Sequence, residues 1–156
     1  MIEALIVLAI LGIVAVLAVD TFRGITEKYR VEGETKQMYA DLMNARGRAL
    51  QRNRASFVQV EAFGYSTYED TFNPPDGNGS LDNTTDARIA GVTIRHEVIA
   101  ALAGGSHITF RRDGTASVTG HLRLLSTARP DYDCVGIGTT RLHLGLFNGT
   151  NACVEK

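Results

Sequence analysis

The first 19 residues, MIEALIVLAILGIVAVLAV, hold no lysine, arginine or histidine and a single carboxylate, Glu3. A secretory signal opens on positive charge and closes on a small-residue cleavage site, and both features are missing from this run. Proline is scarce, with three residues in 156, and none lies between Thr21 and Arg54. Nothing in that stretch therefore breaks a helix. A second histidine is missing after His96-Glu97, because Ala100 stands where a zinc-protease helix needs it. The third glycine is missing from Gly136-Ile137-Gly138-Thr139-Thr140-Arg141, which excludes a dinucleotide loop. His107, His121 and His143 are spread through strand-like segments without ligand-like spacing. Catalysis is not expected of this chain.

What the chain does have is an apolar run of 16 residues from Ala4 to Val19. A comfortable bilayer crossing needs roughly 20, and residues 1 to 3 with some snorkelling or thinning make up the difference. A lone carboxylate in such a segment is costly to keep there, so Glu3 is expected to have a task. Beyond Asp20 the helix continues as an amphipathic one. Val31, Thr35, Met38, Leu42, Ala45 and Ala49 recur at three- and four-residue steps and predict one buried stripe. Phe22, Ile25 and Tyr29 form a second, offset stripe. The whole helix, 1–54, extends about 80 Å at about 1.5 Å per residue. Arg46, Arg48, Arg52 and Arg54 sit at its C-terminal end, which the helix dipole makes negative.

After Arg54 the composition turns to strands and turns. Expected strands are Phe57 to Phe63, Gly64 to Glu69, Val92 to Val98, His107 to Arg111, Ala116 to Leu125, Cys134 to Ile137 and Thr140 to Phe147, with a hairpin turn at Arg112-Asp113-Gly114-Thr115. The fold class is α+β, a long N-terminal helix packed on a small antiparallel β head. Residues 1–54 form the helix, 1–19 for a membrane or filament core and 20–54 amphipathic, and residues 55–156 form the head.

The string Ile2-Glu3-Ala4-Leu5-Ile6-Val7-Leu8-Ala9-Ile10-Leu11-Gly12-Ile13 resembles the processed N-terminus of type IV pilins and type II secretion pseudopilins. Those families set a glutamate nine residues before a glycine, the spacing of Glu3 and Gly12. Their glutamate is the fifth mature residue and here it is the third, so either the numbering starts inside the usual N-terminus or processing differs. Asp20 stands where many members have proline. Tyr39-Ala40-Asp41-Leu42 with Ala45-Arg46, Ala49 and Arg52-Asn53, then Asp76 to Asp82, then Ile108-Thr109-Phe110 and Asp113-Gly114-Thr115-Ala116, are similar to the GspH/FimT type within that superfamily.

The resemblance implies a structural subunit. A prepilin peptidase removes a leader and the new N-terminus is methylated. The subunit waits in the bacterial inner membrane with its head in the periplasm. An assembly ATPase and a platform protein then pass it into a helical filament of its own copies, with other pseudopilins or minor pilins. Met1, Glu3 and Gly12 are the expected assembly residues, with Glu3 pairing to a neighbour's N-terminal amine so that two charges held out of water satisfy each other. A secretion pseudopilus is the expected filament, and a surface type IV pilus is the other.

The alternative function is that of a FimT-like minor pilin that binds DNA. From residue 55 onward eleven acids oppose eight lysines and arginines, a formal charge of −3, and residues 146–156 hold one basic side chain. DNA is therefore not an expected partner. Asp76, Asn78, Ser80 and Asp82 put oxygens at alternate positions, a pattern open to calcium or to ordinary Asx turns. No other cofactor is expected. Cys134 and Cys153 are the only cysteines, and a disulfide between them fits an extracytoplasmic head and the C-terminal loop of many pilins.

Overall fold

The computed structural model describes residues 2–74, 77–150 and 152–156, with the side chains at 4, 5, 9 and 14–23 outside that description. One helix, α1 (Ile2–Arg52), is 51 residues long. It ends where Asn53 takes a left-handed conformation, φ 53°, as helix C-termini commonly do. The predicted stripe is the face that meets the head: Val31, Thr35, Met38, Leu42, Ala45 and Ala49 are all at most 1% exposed. Thr35 fits this apolar line because its hydroxyl donates back to the Val31 carbonyl at 2.8 Å.

Two antiparallel sheets receive that stripe. In chain order the strands are β1 (Ser56–Glu61), β2 (Gly64–Glu69), β3 (Ala87–Thr93), β4 (Val98–Ala103), β5 (His107–Phe110), β6 (Thr119–Leu124), β7 (Cys134–Ile137), β8 (Leu142–Phe147) and β9 (Cys153–Glu155). One sheet runs β3-β2-β1-β5 and the other β4-β6-β7-β8-β9. Val58, Ile108 and Phe110 from the first sheet join Leu122, Leu124, Val135 and Ile137 from the second in one core around α1. A smaller cluster of Ala55, Phe57 and Tyr68, with Leu81 against it, lies apart from it.

Two expectations are corrected, and two strands, β4 and β9, are not among those expected. The segment Val92 to Val98 is not one strand. β3 ends at Thr93, and the chain crosses between sheets through residues 94–97 before β4 starts at Val98. Ile94 and His96 are buried and Arg95 and Glu97 exposed, so the alternation is real. The crossing is held by other elements, with the Ile94 and Val98 amides donating to the Phe63 and Ala62 carbonyls of the β1–β2 turn at 2.9 and 2.8 Å. The turn at 112–115 forms, with the Gly114 amide donating to the Arg111 carbonyl and Gly114 at φ +76°. It closes only a single bridge, Phe110 to Ala116, and the chain then leaves for the other sheet. β9 was not anticipated, being three residues at the chain end whose strand character comes from pairing with β8.

Truncating the buried stripe opens a cavity, so Leu42→Ala or Met38→Ala should cost about 2–5 kcal/mol of head stability in denaturant unfolding followed by circular dichroism. Ile25→Ala, on the exposed face, should stay within about 0.5 kcal/mol.

Candidate assembly site

Ile2, Ile6, Val7, Leu8, Ile10, Leu11 and Ile13 are exposed, Ile2 to 75%. Residues 6, 7 and 8 are consecutive, so together they point around the helix and not along one face. Glu3 lies in the first turn, where the helix dipole favours negative charge. Nothing stands within 4 Å of where a side chain at Gly12 would begin. The second stripe is also uncovered, with Ile25 and Tyr29 exposed and the Phe22 side chain outside the described residues. Among the described residues no helix is long and apolar enough to cross a membrane. The expected membrane segment 1–19 lies partly outside them, as Met1 and several of its side chains do.

The uncovered half is joined to the head by polar contacts on both sides of residues 27–36. On one side the His96 ring meets Glu27 and Glu34, each at 2.6 Å. On the other, buried Glu32 accepts the Asp131 amide at 2.9 Å and Lys28 pairs with Asp131 at 3.0 Å. Lys156 also reaches Asp131, at 3.1 Å, which ties the chain end to the same point. Hydrogen bonding to Asp131 holds the Lys28 ammonium above its ordinary range, and Lys28 with Lys156 holds Asp131 below its own. Further along, the Tyr65 hydroxyl donates to Asp41 at 2.6 Å, and burial with that carboxylate pushes its ionisation well up.

The loop after β2 is organised by Asp70, which the sequence did not single out, and by Asp86, which belongs to the loop segment similar to the GspH/FimT type. Buried Asp70 accepts the amides of Asn78 and Gly79 at 3.0 and 2.7 Å. Asp86 accepts those of Thr71, Phe72 and Asp82 at 3.1, 3.3 and 2.8 Å. Of the calcium candidates, Asp76 lies outside the described residues, Asn78 caps the Ser80 amide, and Asp82 accepts from both the amide and the hydroxyl of Thr84. These are Asx-turn contacts. Among the described residues no three His, Cys, Asp or Glu side chains gather as a metal site.

Cys134 and Cys153 are bonded, with Cα atoms 5.9 Å apart. They sit on β7 and β9, the two strands flanking β8. The bridge passes over Gly145 of β8, where an added Cβ would lie 2.8 Å from the Cys153 sulfur and 2.3 Å from the Val154 carbonyl oxygen. Only the register reveals why that residue is glycine.

The family described as Type II transport protein GspH matches residues 34–140. The chain belongs to the GspH family. It thereby joins the pseudopilin superfamily that its N-terminus resembles, a group of structural subunits and not of enzymes, membrane-associated and periplasmic. The family match begins at Glu34, so the Glu3–Gly12 motif is a separate indication. Among solved structures, the chain is similar to the minor pseudopilin EpsH from the type II secretion system of Vibrio cholerae. The TM-score is 0.54 at 14% identity, over 83% of this chain and 98% of that one, which places the helix and double-sheet head in the same pilin-like fold. No curated protein matches the chain.

The disulfide closes a loop of 19 residues' separation, and its reduction should lower stability by about 3 kcal/mol in urea unfolding. Gly145→Ala should leave titratable thiols in the folded protein, where the wild-type chain has none.

Proposed function

We propose that this chain is a structural subunit of a type II secretion pseudopilus, built into the filament through the N-terminal half of α1. The observation that carries this reading is the contrast within one helix. The head covers one face from Val31 to Ala49, while among the described residues seven large apolar side chains between Ile2 and Ile13 stay more than half exposed. Lipid before assembly and neighbouring helices after it both keep that surface out of water, so exchange between them is nearly balanced and the polymer can grow and shorten.

Glu3 then sets the register. Its carboxylate pairs with the N-terminal amine of a neighbouring subunit, in surroundings where neither charge has water. Removing one member of a buried pair costs on the order of 3–5 kcal/mol, because the other is left unpaired. Other pseudopilins share the filament, and an assembly ATPase with its platform protein drives extraction from the inner membrane after leader removal by the prepilin peptidase.

The test is Glu3→Ala in cells that assemble the filament, with sedimentable polymer measured beside head stability. Polymer should fall by at least about 100-fold while the head's unfolding midpoint is unchanged. Wild-type polymer levels would remove the register role.

A further inference from the structure

The crossing between the sheets sets His96 against the turn where α1 leaves the head. Its Nε2 is 2.6 Å from Glu27 Oε1 and its Nδ1 is 2.6 Å from Glu34 Oε2. The two acids are seven residues apart, about two turns, and so share a helix face. The ring is only 7% exposed.

A neutral imidazole has one N–H and one lone pair. Between two carboxylates, the neutral ring would hold its lone pair against an oxygen at 2.6 Å. Only the doubly protonated ring donates in both directions. Two further cations face the cluster. Arg30 on α1 lies 3.3 Å from Glu27, and Arg95 in the crossing acts on Glu27 by charge while its amide donates to Glu34 at 3.3 Å. Arg30 and Arg95 already match the two glutamates in charge, so the ring's proton answers to the two short contacts: without it one carboxylate oxygen faces a lone pair at 2.6 Å.

We propose that His96 is a positioning residue for the stalk: its protonated ring latches residues 27–34 of α1 to the head, fixing how the apolar half projects, and loss of the proton releases it. Its use in assembly rests on the filament reading above, where helices and heads of neighbours must pack at the same time.

Burial alone pulls the His96 value down, and the hydrogen bonds and charges of Glu34 and Glu27 outweigh it and hold it above the ordinary range. The hydrogen bond from His96 holds Glu27 below its ordinary range. A raised histidine contributes stability that is complete below its unfolded value, about 6.5, and lost as pH climbs through the folded one. Glu27 contributes above about 4.5 and loses its share as pH falls through its own lowered value. The latch is closed above the lowered Glu27 value and opens as pH rises through the raised His96 value. Across the helix, the Lys28–Asp131 pair is shifted away from neutrality in both directions and does not supply such a step.

The experiment uses the full chain, unassembled in detergent micelles, so its result does not depend on filament formation. NMR follows the His96 ring, and amide exchange corrected for intrinsic rates follows residues 24–34 and the β6–β7 core. Exchange at 24–34 should rise about tenfold for each unit by which the His96 value exceeds about 6.5, with the same midpoint and with no step in β6–β7. His96→Gln should exchange fast at 24–34 at every pH with β6–β7 protected. If that variant does not fold, Glu34→Gln should move the step to lower pH. A His96 value at or below about 6.5, or a corrected exchange rate at 24–34 that ignores pH, overturns the proposal.

Discussion

One face of a single helix is covered by the head over its C-terminal half and exposed apolar side chains crowd its N-terminal end, and the proposed function is arranged around that contrast. The head is large enough to cover one face of the C-terminal half of α1 and no more. Burying one large aliphatic side chain is worth about 1.5–3 kcal/mol. The seven left uncovered near the N-terminus therefore stand for roughly 10–20 kcal/mol, as much as the whole net stability of a typical domain. The proposed function places that segment in lipid or against neighbouring helices, with the head as the handle by which it is presented.

The handle is rigid because the junction is pinned on opposite sides by different chemistry. His96 comes from a crossing between sheets, and Asp131 from the loop between β6 and β7. Asp131 also holds the chain end through Lys156, and the disulfide secures β9 to β7 across β8. Contacts far apart in sequence thus converge on the few turns of α1 that separate its covered half from its uncovered half. Exposed ion pairs contribute little each, but Glu32 and His96 are buried members of this arrangement, and buried partners are the ones that fix geometry.

Much of this was legible in the sequence because helical periodicity reports burial directly. The stripe from Val31 to Ala49 and the separate stripe holding Ile25 and Tyr29 followed from it, and the β head followed from aromatic and β-branched content between turn signals. What alternation does not report is which element supplies the burial. Residues 94–98 alternate as a strand does, yet helix and turn cover them, and so the sheet crossing and the role of His96 stayed hidden. Glu27 and Glu34 at a seven-residue spacing were a visible hint, although their partner lies more than 60 residues away. β4 was missed because Ile99-Ala100-Ala101-Leu102-Ala103 is mostly exposed and without alternation. Asp70 had no sequence signal, and Asp86 was marked only as part of a family-like loop, since the work of both is done on backbone amides brought near only by the fold.

The central claim, that α1 passes from an apolar environment to an aqueous one along its length, is most directly tested by fluorescence. The chain has no tryptophan, so single substitutions Ile6→Trp, Ile10→Trp, Ile13→Trp and Tyr29→Trp each report one position in vesicle-reconstituted full-length protein. Brominated lipid should quench the first three and spare the fourth, with aqueous acrylamide giving the opposite order. Equal acrylamide quenching at all four positions would contradict the account.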